Sequence, residues 1–333
     1  MRYGISIAGV GLKNHGQFAK MAEDANFELV VTNDNRGPAD TFVKMTAMAL
    51  ATSKIQIGSG ICRAFVRTPI ATGTAAMTLD ELSDGRVVLC LGGGTRRQLD
   101  YGIEIDHGAP RLKEVIEIMR LLWANHPHMF AYNGRFYQLA GDAPGARRAL
   151  DEPAGRRIPV YIACVREAMI RMMGEVADGS AGHPDWHPGF IEKVVMPNLE
   201  VGLKRAGRTR ADFDLSCWRI CHIVGNGVDR RTARRRAARE IGGYLQVRSY
   251  SVLMDSVGWT KEKEAIYDAA LRRRDLEALI DAVTDEMIDA IALVGTPEEV
   301  RHKAAQYEGI LDRIILHGGD EENHRAMIEV FGR

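Results

Sequence analysis

The sequence carries no surplus of charge. Its 44 Lys and Arg residues balance 44 Asp and Glu residues, so no overall field gathers nucleic acid or anionic lipid. Cysteines are few: Cys62, Cys90, Cys164, Cys217 and Cys221 are odd in number and none sits in a Cys-x-x-Cys pair, which argues against a disulfide framework or a thiolate metal site. No apolar run reaches the ~18 residues of a membrane span. The first residues, Met1 to Ile7, read as a strand rather than a signal peptide. Internal repeats, low-complexity tracts and linkers are missing too, so residues 1–333 read as one domain. These absences leave a soluble, cytoplasmic chain. Its 46% apolar and 26% charged residues match an ordinary globular protein with a large core.

What is present is an alternation. Short apolar runs predict strands at Tyr3–Ala8, Phe27–Thr32, Ile55–Ile61, Val87–Leu91, Ile158–Ala163, Leu215–Val224 and Arg313–His317. Asp289–Val294 is a further strand candidate that could begin in a helix. Helical spacing predicts helices at His15–Ala25, Ala39–Thr52, Pro69–Leu82, Arg111–Trp123 and Arg166–Ala177, the third opening on a proline. Strands that are apolar almost throughout imply a parallel sheet covered on both faces, either a barrel or a doubly wound sheet. Residues 228–285 read as a long, mainly helical insertion.

Several strand ends could carry chemistry. Gly92-Gly93-Gly94-Thr95 follows the fourth strand and could aim backbone N–H groups at a phosphate, although it falls short of a dinucleotide fingerprint and could be a plain turn. Ala163-Cys164-Val165-Arg166 opens a helix, whose positive end suits an anion, or is an ordinary loop. Gly58-Ser59-Gly60-Ile61-Cys62 suggests a bulge near a ligand, with Cys62 better read as an inert thiol than as a nucleophile. Asp34 and Asn35 end the second strand, where Asp34 could orient a substrate or simply close a turn. His183-Pro184-Asp185-Trp186-His187 tempts a metal reading, but no second ligand cluster completes it; a polar loop at a barrel mouth, with Trp186 covering a ligand, fits better. The arginine run Arg230–Arg239 lacks interleaved aromatics and reads as a solvated helix face, with a clamp for an acidic cofactor tail as a rival.

In order and spacing, these blocks resemble the luciferase-like flavin-dependent oxidoreductases, and within them the methylenetetrahydromethanopterin reductase branch. The stretch Asp84–Gly94 resembles that family's "DGR…LGxGxG" block. Phe27–Asp34, Ile57–Ile61 with Arg67-Thr68-Pro69, and the helix at Arg111–Arg120 are similar to its early elements. Asn133–Tyr137, Ile158–Ala163, Gly174–Gly179 and Gly295–Val300 are similar to later ones.

The resemblance implies a single (β/α)8 TIM barrel with one insertion and a cofactor ring at the C-terminal mouth. It implies a phosphate near Gly93, Gly94, Thr95, Ala163, Cys164 and Val165, and a non-proline cis peptide at Gly60–Ile61 beside Cys62. Coenzyme F420 is the implied cofactor, with FMN and a reduced-flavin monooxygenase as the alternative and a non-catalytic flavin carrier as a weaker one. It further implies a small-molecule substrate and a homo-oligomer, with no nucleic-acid or membrane partner and no metal. One departure stands out. Several F420-using members carry a histidine after the strand-two aspartate, and here the residue is Asn35, an amide that cannot act as a general acid.

Overall fold

A computed structural model describes residues 1–34, 39–94, 107–125, 130–141 and 157–332. Eight parallel strands close into a barrel: β1 Arg2–Ser6, β2 Leu29–Thr32, β3 Gln56–Ser59, β4 Val87–Gly92, β5 Val160–Ala163, β6 Gly179–Gly182, β7 Asp214–Ile223 and β8 Arg313–His317. Each pairs with its neighbours in chain order, and β8 closes the ring on β1. The outer ring consists of α1 His15–Asp24, α2 Thr41–Ala51, α3 Pro69–Leu82, α4 Gly108–Asn125, α5 Glu167–Val176, α6 Met196–Arg205, α7 Arg230–Leu245 and α8 Glu321–Phe331. Of the two architectures open to the strand pattern, the barrel is the one formed.

Local chemistry sets the helix starts. Thr68 accepts the Ala71 N–H ahead of Pro69, and Asp40 accepts the Phe42 N–H at 2.8 Å. Asp229 and Asp320 cap α7 and α8 in the same way. Side chains from the strands' outer faces and the helices form the large core. A smaller inner cluster fills the barrel, centred on Leu29, Val31, Val88, Cys90, Trp218 and Ile315.

The strand missing from the sequence reading is β6. Its Gly-Ser-Ala-Gly stretch has no bulky apolar residue, yet all four residues are buried. Cβ atoms at Gly179 and Gly182 would press into Tyr161, at 2.8 Å, and Trp186, at 2.7 Å. The 289–294 candidate divides as foreseen, a helix ending at Ile291 and a short strand at Leu293–Gly295 that pairs in parallel with the end of β7. Within 228–285, α7 packs on β7 as a barrel helix and further helical turns follow it. The arginine run on α7 is largely neutralised. Arg230 pairs with Glu299 (2.8 Å), Arg234 with Asp285 and Asp289 (2.6 and 2.9 Å), Arg235 with Asp281 (3.0 Å) and Glu277, and Arg236 with Asp320 (3.6 Å). These acidic partners support the solvated-face reading over a clamp. Among the described residues no helix is long and apolar enough to cross a membrane.

Candidate functional site

The C-terminal ends of the strands surround a cleft of about 650 Å³. On one side Asp34, Gly60, Ile61, Gly93, Gly94, Ala163, Cys164 and Val165 line it, which brings together eight of the residues singled out in the sequence. Asn35 and Thr95 lie outside the described residues. Cys62 is the exception and corrects the expectation: its side chain is fully buried and lines no part of the cleft, because Ile61 and Arg63 on either side of it face that way.

Glycines shape this wall. The Gly60–Ile61 peptide is cis, as the resemblance implies. A Cβ at Gly60 would sit 2.9 Å from Trp218 and from Val31, and one at Gly92 would collide with Ile61, so both are small because protein packs on them. Gly93 differs: its Cβ would meet nothing nearer than Phe65 at 3.6 Å, so this backbone is open to a ligand. Across from it, α5 begins with Arg166 at its N-cap, and no side chain caps the helix. The first-turn N–H groups are therefore left to an anion. The acidic residue in that turn, Glu167, pairs with Arg171 at 3.3 Å.

Asp34 is tied to its surroundings. It accepts the Arg63 N–H at 3.2 Å and lies 3.9 Å from the Arg67 guanidinium, linking the ends of β2 and β3. Arg67 also pairs with Asp40, and Lys44 holds the Asn33 side chain at 3.1 Å.

The five residues from His183 to His187 part company. Only His183 and Pro184 reach the cleft. Trp186 does not cover a ligand, contrary to the expectation: it is fully buried and packs on Phe190 and over Gly182. His187 accepts the Phe190 N–H at 3.1 Å and bonds the Leu253 carbonyl at 3.0 Å, so it is a structural clasp. Asp185 is buried with neither oxygen hydrogen-bonded, and burial pushes its carboxyl well above the ordinary range. Arg219, buried in β7, holds the turn by the carbonyls of Pro184 (3.1 Å) and Trp186. No cluster of metal-ligating side chains occurs among the described residues.

The side chains of the wall from β7, β8 and α7 were not singled out in the sequence. His317 ends β8, and its Nε2 lies 3.2 Å from the Tyr244 hydroxyl and 3.8 Å from the Glu240 carboxylate. Glu240 also takes the Gly319 N–H at 3.0 Å and contacts His222 Nε2 at 3.2 Å. Burial pushes the Glu240 carboxyl up, but the hydrogen bond from His222 and the charge interaction with His317 outweigh it and bring the group down to about 2. The carboxylate is therefore ionised near neutrality. His183 goes the other way: burial and the nearby His317 lower it to about 3, so its ring is neutral. It packs edge-on against Tyr244 and Tyr250, with centroids 5.0 and 4.4 Å away. His317 could have been picked out as a histidine at a strand's C-terminal end. Glu240 and Tyr244 follow the arginine run on the same helix, where nothing marks them. All five cysteines are buried free thiols, and burial pushes Cys62 and Cys164 up, away from nucleophilic use.

Comparison with known proteins gives these residues a setting. The family described as luciferase-like monooxygenase matches residues 3–313. The 5,10-methylenetetrahydromethanopterin reductase of Archaeoglobus fulgidus is 28% identical over 290 residues, 85% of this chain and 82% of that one. Among solved structures, the coenzyme F420 dependent tetrahydromethanopterin reductase from Methanopyrus kandleri superposes with a TM-score of 0.84. Its identity is 24%, covering 100% of this chain and 97% of that one. The oxygenating constituent of 3,6-diketocamphane monooxygenase from Pseudomonas putida, in complex with FMN, superposes at 0.68 with 16% identity, covering 100% and 95%. At these identities the structural likenesses establish the fold.

Proposed function

Because this chain belongs to the luciferase-like monooxygenase family, we propose that its cleft holds the ring of coenzyme F420 and that the protein moves hydride between that cofactor and a small organic substrate. The coarser class, an oxidoreductase of this family, accords with both kinds of relative described above. The observation that carries a flavin or deazaflavin in this cleft is the wall at Gly93. An open glycine backbone, the apolar faces of Ile61 and Val165 and the uncapped start of α5 lie along one cleft, matching a flat ring that ends in a phosphate.

Bound there, a deazaflavin supplies hydride transfer at its ring carbon. The chain's own residues position and shield it. Gly93 and Gly94 admit the ring, and Ile61 and Trp218 form an apolar floor that excludes water. Arg166 and the α5 N–H groups would hold the phosphate. Asp34, held by Arg63 and Arg67, fixes the neighbouring strand ends and faces the cleft with its remaining edge.

The alternative is FMN with oxygen chemistry. Its support is the FMN-bound monooxygenase of the same fold. Titrating the purified protein with F420 and with FMN, followed by fluorescence quenching, separates the two. Tight F420 and weak FMN binding supports hydride chemistry. FMN preference moves the assignment to a monooxygenase. Binding of neither removes the cofactor claim. The same reading pairs copies of the chain through barrel helices such as α2, where Val43 and Leu50 lie exposed at 63% and 71%; light scattering checks it.

A further inference from the structure

The reading above leaves the β6–β8 side of the cleft without a task, and its hydrogen bonding is unusual. His183 Nδ1 accepts the Asp185 N–H at 3.3 Å, and the Asp185 carboxyl 3.9 Å from the same nitrogen is pushed toward its protonated form by burial, so in a neutral ring the proton sits on Nε2. That Nε2–H has no partner among the described residues, and the ring lines the cleft. Tyr244 poses a similar question. Its oxygen lies 3.2 Å from His317 Nε2, and the Glu240 Oε2 atom, without a hydrogen bond of its own, lies 3.8 Å from the same nitrogen. A carboxylate facing Nε2 favours the tautomer with its proton there, since two lone pairs would repel. His317 then donates to the Tyr244 oxygen, and the tyrosine's own O–H is left to point elsewhere. Tyr244 also lines the cleft.

We propose that His183 Nε2–H and Tyr244 O–H together form a grip for an uncharged acceptor oxygen, and so that the substrate presents a ketone, aldehyde or other neutral carbonyl to this wall. The inference rests on the reading of the cleft as a cofactor and substrate site. Two neutral donors with no acceptor between them call for an oxygen lone pair. The ionised Glu240 lines the same wall and disfavours an anion there. The cations that line the cleft, Arg63 and Arg166, lie on the opposite wall at the phosphate end. The cleft is thus polarised, with anion-binding groups by β3 and β5 and neutral donors backed by negative charge by β6 to β8. Donors aimed at a carbonyl oxygen also draw electron density from its carbon, making that carbon a better hydride acceptor. This placement supplies, from the far side of the barrel, the polar contact that Asn35 cannot give as an acid. His317 and Glu240 act as positioning residues: the carboxylate sets the His317 tautomer, and that ring sets which way the Tyr244 O–H points.

The test uses cyclohexanone labelled with ¹³C at the carbonyl, titrated into the full protein alone and with saturating F420 or FMN. Binding should move the carbonyl resonance downfield. Tyr244→Phe and His183→Phe should each weaken binding roughly tenfold, the worth of one net hydrogen bond, and shrink the shift. His183→Gln keeps an N–H and should restore part of both. Glu240→Gln should improve binding of cyclohexanecarboxylate while the ketone changes less. Thermal melts near that of the parent protein show that the variants fold. A carbonyl shift unchanged in the Phe variants overturns the grip, as does tighter binding of cyclohexanecarboxylate or cyclohexylammonium than of the ketone by the parent protein. A ketone that binds with the predicted His183 and Tyr244 dependence while neither cofactor binds upholds the grip and removes only the cofactor assignment.

Discussion

At the N-terminal end of the barrel, Asp214 at the start of β7 has both oxygens engaged. It takes the Tyr161 hydroxyl at 2.6 Å and the Ser216 hydroxyl at 2.8 Å, and pairs with Arg2 at 3.0 Å and Arg313 at 3.3 Å. Burial pushes its carboxyl up, but Arg313, Tyr161 and Arg2 together hold it below the ordinary range. At the C-terminal end, some of the same residue types are buried differently. His183 is kept neutral and lines the cleft with Tyr244, and Glu240 is ionised with one oxygen unbonded. One end closes a carboxylate on its partners, and the other leaves a carboxylate oxygen unbonded beside the cleft. In a barrel, that asymmetry separates the end that stabilises from the end that reacts.

The comparison can be broken at either end. The largest effect belongs to Asp214→Ala. Leaving Arg313 with only the exposed Glu28 at 3.5 Å should cost about 3–5 kcal/mol, read by chemical denaturation, while cofactor binding by the folded fraction stays near that of the parent. Next is Gly93→Leu at the other end, where a side chain enters open cleft. Cofactor affinity should fall between about tenfold and a hundredfold with little change in melting temperature, the reverse of the first pattern.

A smaller effect is the pH profile. His183 has an ordinary value of 6.5 in the unfolded chain and about 3 in the fold, so between those values only the unfolded chain takes up the proton. Stability should therefore fall as pH drops through that window. Glu240, moving from 4.5 to about 2, adds loss in the same direction at the acid end. His183→Phe should flatten the upper part of the curve, measured by denaturant titration at successive pH values. The smallest effect is Arg235→Ala on the outer face of α7. Despite its two ion pairs, it should change stability by no more than about 1 kcal/mol, because exposed pairs gain little over water.

Much of the barrel was legible because its strands are apolar runs and the helices α2, α3, α7 and α8 carry side-chain caps. Arg313–His317 and Pro69–Leu82 were read with the bounds they have. The strand β6 was not legible, since pattern reading weighs apolar bulk and Gly-Ser-Ala-Gly has none; it is a strand because Tyr161 and Trp186 need the space that a larger side chain would take. The glycine side of the cleft was legible from backbone chemistry at strand ends. The donor side was not. Tyr244 and Glu240 look like any residues of a charged helix until α7 packs over β7 and β8. Cys62 and Trp186 were misjudged for one reason, that position near a site does not give direction, and both side chains turn into protein.

The most direct measurement of the central claim is a crystal structure of the protein grown with F420. The account predicts the ring along Gly93 and Ile61, the phosphate at the start of α5, and open space between the ring and the donors of His183 and Tyr244. Cofactor bound instead in the basic groove of Arg248, Lys263 and Arg272, or anywhere outside the barrel mouth, would contradict it.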